Sequence, residues 1–201
     1  MVCSLMYLAC FTRPDITYSV NQCAKYMANP GLSHVQAAKL ILAYLSATKD
    51  KKLTYSCSLD PSVANVLSCY ADSDHAEDPD NSRSVTGFVC MLNRAAVSWQ
   101  LVRQQVVALS SAEAEYYSAS VAGTDVTYIR RLLAELGHTQ GEPTVLHEDN
   151  MACIYMLQSA AMYHKAQHID TCVYHLREMC RRNEMICEKI ASVDQVADSL
   201  T

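Results

Sequence analysis

The sequence predicts an α/β domain built on a mixed sheet and preceded by a short helical segment. Three observations predict it. Apolar residues recur at helical spacing up to residue 52, and from Leu53 the pattern changes to short β-type runs. Beyond one long amphipathic helix, strands and helices then alternate. Half of the 201 residues are apolar and 18% are charged, so the chain has the material for a real core.

The elements follow in order. The first 52 residues read as helices. Thr12-Arg13-Pro14-Asp15 looks like a helix start, because proline is tolerated in a first turn, and the pattern runs to Met27. Asn29-Pro30-Gly31 breaks it. Ser33 and Gln36 have capping-box spacing, with Val35, Ala38, Ile41, Leu42 and Leu45 as the stripe behind them. Lys49-Asp50-Lys51-Lys52 ends that element as a solvated turn. Strands are expected at Leu53–Cys57, Asn65–Ala71, Ser84–Leu92 and Ala95–Leu101. A long helix should run from about Ser111 to Leu136, where Gly137 stops it. Thr144–Glu148 reads as a strand, Asn150–Gln158 and His168–Arg182 as helices, Met185–Ala191 as a strand, and a final helix begins at Asp194. The division is therefore a helical segment, 1–52, and an α/β domain, 53–201. No internal repeat or low-complexity tract interrupts it.

Several function classes fall away. The apolar start, Met1 to Phe11, has no basic leader, is interrupted by Cys3 and Ser4, and is too short for a bilayer, so neither secretion nor a membrane anchor is expected. The ten cysteines are scattered without a Cys-x-x-Cys pair and read as reduced thiols serving as small core hydrophobes. His164, His168 and Cys172 lie at four-residue steps but lack a fourth zinc ligand, and read as incidental. A net charge of −5 argues mildly against a protein that simply coats nucleic acid and does not argue against an enzyme whose acids gather around bound cations, so both readings stay open.

The acids carry the functional signal. Ala112, Ala119, Ala122, Val126, Ile129 and Leu133 mark the apolar stripe of the long helix, and Glu115 lies within that stripe. Glu113, on the opposite face, is placed to form a capping box with Ser110. Burying an uncompensated carboxylate costs several kcal/mol, so Glu115 calls for a partner, either an arginine or something at the surface of the first turn. Asp72 and Asp149 each end a predicted strand, where ligand sites of α/β sheets form. Asp194 and Asp198 are four residues apart and would share a helix face. Carboxylates brought together repel and need a cation. Hard oxygen ligands suit Mg²⁺, and two such ions about 4 Å apart can drive phosphodiester hydrolysis.

Tyr70-Ala71-Asp72-Ser73-Asp74, Val97-Ser98-Trp99, Val107-Ala108-Leu109-Ser110-Ser111-Ala112-Glu113-Ala114-Glu115-Tyr116, Glu148-Asp149-Asn150, His168-Ile169-Asp170 and Asp194-Gln195-Val196-Ala197-Asp198 occur in this order. The ordered set resembles the ribonuclease H of copia-type retrotransposon Pol polyproteins. Ser4-Leu5-Met6-Tyr7-Leu8 and Thr12-Arg13-Pro14-Asp15-Ile16 resemble the end of the same polyprotein's reverse transcriptase. The resemblance covers essentially the whole chain. It implies a ribonuclease H-like fold, a five-stranded mixed sheet flanked by helices, behind a reverse-transcriptase connection segment. It also implies hydrolysis of the RNA strand of an RNA–DNA hybrid with two Mg²⁺ ions, Mn²⁺ being the alternative. Asp72, Glu115, Asp149 and Asp198 would be the catalytic metal ligands, and the resemblance selects Glu115 over Glu113 as the helical face does. Arg83, Arg103, Lys165 and His168 become candidates for substrate contact, with Arg177, Arg181 and Arg182 as further cations. The implied partners are an RNA–DNA hybrid and the rest of the polyprotein, inside the cell in a cytoplasmic particle or the nucleus.

His75 stands where the family has tryptophan, Gln167 where it has lysine, and Tyr174-His175 sit one residue late. None of these removes an acid. Asp198 lies close to the end of the sequence, in a helix barely begun, and terminal turns fray. Met1 falls inside the reverse-transcriptase-like stretch without polymerase acids. These features keep a second reading open, a catalytically inactive fragment or co-opted scaffold of a decayed element. An integrase- or resolvase-type nuclease is a third reading, which the reverse-transcriptase-like leader disfavours. Asp72, Glu115 and Asp149 more than about 8 Å apart would defeat every nuclease reading, because Mg²⁺ binds oxygen near 2.1 Å.

Overall fold

Strand alternation and β-type residues give five strands: β1 Leu67–Ser73, β2 Val85–Leu92, β3 Ala95–Arg103, β4 Thr144–Glu148 and β5 Met185–Lys189. In the computed structural model they form one sheet in the order β3-β2-β1-β4-β5. The β1–β2 and β2–β3 pairs are antiparallel, whereas β1–β4 and β4–β5 are parallel, so the sheet is mixed as expected. Asn93 and Arg94, at φ +53° and +64°, make the tight β2–β3 turn whose twist suits the flanking strands. The structure describes residues 1–56, 65–75, 82–105, 107–158 and 170–201, the last with side chains from Tyr174 onward.

One long helix organises the core. Helix α4, Ser111–Glu135, lays Tyr116, Ala119, Ala122, Val126, Ile129 and Leu133 against Leu67, Cys69 and Ala71 of β1 and Phe88 and Cys90 of β2. Fully burying one Phe88 or Leu146 side chain contributes about 1.5–3 kcal/mol, so this cluster is the main source of stability. Helices α5, Met151–Gln158, and α6, Asp170–Arg181, complete the layer. Gly123 allows α6 to approach closely: a Cβ there would lie 2.9 Å from Leu176 Cδ1.

The chain divides into two compact units, Met1–Thr54 and Tyr55–Ser199, the second also taking Thr201. The first contains α1, Val2–Phe11, α2, Thr17–Ala24, and α3, Leu32–Ala47, around a small core of Leu5, Ala9, Ile16, Val20, Cys23, Ala38 and Ile41. Arg13 is buried and grips Asp15 with two hydrogen bonds of 2.9 and 2.8 Å. Its guanidinium holds the Asp15 carboxyl below the usual carboxylate range. No helix among the described residues is long and apolar enough to cross a membrane.

Four local expectations differ. Pro14–Ile16 forms a 3-10 turn, so α2 starts at Thr17, and it ends at Ala24 rather than Met27. The Arg13–Asp15 pair, fixed across two residues, pins that turn. Helix α3 is entered through Gly31, whose N–H donates to His34 Nδ1 at 3.0 Å, so the Ser33–Gln36 box is not the cap. Residues 53–56 are not a strand, although the Tyr55 hydroxyl donates to the Ala96 carbonyl at 2.7 Å, and Cys57 lies outside the described residues. The final helix is replaced by two 3-10 turns, Ser192–Asp194 and Val196–Leu200. Gln195 between them is extended, at ψ 103°, because its side chain is committed to the Ala71 carbonyl at 2.8 Å. Asp194 and Asp198 therefore share no helix face.

Candidate metal centre

Asp72 closes the central strand β1, Asp149 follows the parallel neighbour β4, and Glu115 projects from the first turns of α4. One carboxylate oxygen from each lies within 4.8 Å of the other two. The site thus sits at the carboxyl ends of two parallel strands, the usual place for ligands on such sheets. Side-chain hydrogen bonds set the spacing. Ser118, one turn beyond Glu115, donates to the Asp72 carbonyl at 2.6 Å, tying α4 to β1 beside the acid. Buried Gln104 donates to Thr86 Oγ1 and to the Ala114 carbonyl, both at 3.1 Å, which fixes the start of α4. Ser110 caps that helix through the Glu113 N–H at 3.2 Å, and the Glu113 carboxylate reaches back to the Leu109 N–H at 2.7 Å.

Asp149 is held differently. Ser192 donates to its Oδ2 at 2.6 Å and Lys189 Nζ donates to its backbone carbonyl. Thr201 donates to Asp72 Oδ2 from the C-terminal side. Asp198 lies outside the triad, although its charge acts on Asp72.

Glu148 is the acid that sequence reasoning missed. It is fully buried, Oε1 accepts the Asn150 N–H at 3.1 Å, and Oε2 has no partner. The signal was available: in β4 it shares a face with Leu146, two residues earlier.

Burial and mutual repulsion dominate the electrostatics. Desolvation, then the charges of Glu148, Asp72 and Asp149, push Glu115 up to about 9. Desolvation likewise raises Asp72 against the opposing Thr201 hydrogen bond, and pushes Glu148 up to about 8. Two carboxylates within 4.8 Å repel by about 3–4 kcal/mol at an effective dielectric of about 20. Among the described residues no lysine or arginine pairs with any of the three, and Glu115 Oε2 is buried without a hydrogen bond. A divalent cation fits this donor set. Two oxygens on one octahedral ion lie about 3–4 Å apart, so the observed spacing needs only small side-chain rotations.

The other candidates lie elsewhere. Arg103 ends the edge strand β3 opposite Val85, and half-buried Arg83 precedes β2 by two residues. Neither belongs to the acid triad. Arg177 donates to the Met156 carbonyl at 3.0 Å, and Arg182 pairs with Glu178 at 2.8 Å. Lys165, His168 and the His164–His168–Cys172 set lie outside the described side chains.

A mixed sheet in this order, with the long helix laid across β1 and acids at the ends of β1 and β4, defines a ribonuclease H-like protein. LC11-RNase H1, isolated from compost by a metagenomic approach, matches this fold with a TM-score of 0.50 and 15% identity, over 68% of this chain and 92% of that one. Retrovirus-related Pol polyproteins of copia-type transposons are homologous to the chain along its whole length. Across 98% of its length it is 37% identical to the Pol polyprotein of transposon TNT 1-94 from Nicotiana tabacum. Across all of it, it is 34% identical to that of transposon RE1 from Arabidopsis thaliana. It spans 14% and 13% of those relatives. No family model matches the chain.

Proposed function

We propose that this chain is a metal-dependent nuclease that hydrolyses the RNA strand of RNA–DNA hybrids during retrotransposon reverse transcription. The observation that carries the reading is the convergence of Asp72, Glu115 and Asp149 within 4.8 Å, well inside the separation a nuclease requires. Bound divalent cations, Mg²⁺ or Mn²⁺, would supply the Lewis acidity that activates the attacking water and stabilises the leaving 3′ oxygen. Asp72, Glu115 and Asp149 would hold those cations. Asp198, whose charge acts on Asp72, would be the fourth ligand. Ser192 orients the Asp149 carboxylate, and Ser118 and Gln104 keep Glu115 facing Asp72. Selection of RNA over DNA would come from 2′-hydroxyl contacts and A-like duplex shape, with Arg83, Arg103, Lys165 and His168 near the phosphates. Residues 1–52 would be the end of reverse transcriptase, joining the nuclease, 53–201, to the rest of Pol inside the cell.

The test is cleavage of a labelled RNA–DNA hybrid in Mg²⁺, comparing this chain with Asp72→Asn. Cleavage by the first and none by the second is the expected result. A folded chain that binds Mn²⁺ and cleaves nothing would replace the nuclease reading with the inactive-scaffold reading.

A further inference from the structure

Cys69 and Cys90 face each other directly across the antiparallel β1–β2 pair. Their Sγ atoms are 2.9 Å apart and neither residue is exposed at all. That is closer than non-bonded heavy atoms normally pack, about 3.5–4.0 Å for carbon. Opposed residues of an antiparallel pair have Cα atoms about 4.5 or 5.5 Å apart. Both values fall within the roughly 4.4–6.8 Å that a disulfide spans, so closing the bond needs no backbone movement. Among the described cysteines no other pair is in sulfur–sulfur contact.

We propose that Cys69 and Cys90 are a disulfide-forming modification site that reacts with small-molecule disulfides. One thiolate attacks the small disulfide, making a mixed disulfide and releasing one thiol. The second cysteine attacks the protein sulfur of that mixed disulfide, forming the Cys69–Cys90 bond and releasing the second thiol. Two electrons pass from the protein to the small disulfide, and the two cysteine protons end on the released thiols.

Timing follows from burial. Both sulfurs lie inside the cluster that includes Phe88, Ala122 and Val126. The Cys69 sulfur, desolvation and the Asp125 carboxylate on α4 push the Cys90 thiol well up, so thiolate is scarce in the folded chain. The bond therefore forms while the strands pair, before α4 covers them. It would bolt β1, which carries Asp72, to β2, where Gly87 faces Asp72.

The full chain is refolded from denaturant in oxidised and reduced glutathione, free thiols are blocked, and peptides are mapped by mass spectrometry. The expected product is a Cys69–Cys90 cross-link. Its melting temperature should exceed that of chain refolded in dithiothreitol by roughly 6–12 °C, from a closed loop of modest length. Cys90→Ala should lose both the cross-link and the shift. Finding Cys69 and Cys90 both blocked in folded, oxidised chain, or cross-linked elsewhere, overturns the proposal. The wild-type peptide map decides this even if Cys90→Ala does not fold, and it is independent of nuclease activity.

Discussion

Of the four candidate ligands, Asp72 and Glu115 are positioned by one kind of physics and Asp149 and Asp198 by another. The first two belong to long regular elements, a central strand and a 25-residue helix, and both are buried. Backbone hydrogen bonds and core packing fix them, and the Ser118 hydroxyl ties α4 to β1 at Asp72. Asp149 follows a strand and Asp198 lies in a 3-10 turn, so single side-chain hydrogen bonds from Ser192 and Gln195 set their surroundings. One half is set in regular structure. The other rests on fewer contacts, and on the proposed nuclease reading it is the half that would adjust to a phosphate chain.

If that contrast holds, substitutions should divide along it. Asp72→Asn and Glu115→Gln should each reduce hybrid cleavage by about three orders of magnitude or more, since each removes a charged ligand from a dry site. Asp198→Asn should cost less than either. Equal losses at all four positions, measured in the same assay, would erase the distinction.

Next in size is the support around Asp149. Groups that orient a metal ligand typically matter by about 10–100-fold. Ser192→Ala should weaken Mn²⁺ binding and cleavage within that range and leave thermal stability almost unchanged, because Ser192 is exposed. Gln104→Leu should lower stability as well as binding and cleavage, because Gln104 holds the start of α4 beside Glu115. It strips buried hydrogen bonds from Thr86 and the Ala114 carbonyl, costing about 1–3 kcal/mol in denaturant unfolding. A stability loss from Ser192→Ala as large as that from Gln104→Leu would show that the adjustable half is part of the folding core.

The same contrast explains how much was legible in the sequence. The long helix, the strand Thr144–Glu148 and the placement of Glu115 follow from periodicity, because packing against one sheet face enforces it. The resemblance supplied the sheet's strand count. The C-terminal segment was not legible as 3-10 turns, because its conformation depends on Gln195 reaching Ala71, 124 residues away in sequence. The entry to α3 was misplaced because a histidine ring, not a serine hydroxyl, meets the cap N–H. Glu148 is masked in the sequence by the strand-end acid beside it, although strand alternation points it inward.

Glu148 also provides the subtlest test. Asp72, Glu115 and Glu148 have raised pKa values in the folded chain. For Glu115 and Glu148, between the ordinary glutamate value of about 4.5 and the raised values of about 9 and about 8, the folded chain holds protons that the unfolded chain has released. Stability in EDTA must therefore fall as pH rises through that window. A divalent cation competes with those protons, so the increase in melting temperature on adding Mn²⁺ should grow with pH. A flat EDTA profile from pH 5 to 9 would mean the acids stay ionised when folded. Glu148→Gln keeps an acceptor for the Asn150 N–H but has no proton to lose. It should make the EDTA slope shallower and leave Ser192 and Asp149 undisturbed, with cleavage close to that of the parent chain. An unchanged slope in Glu148→Gln would place the titration on Asp72 and Glu115 alone.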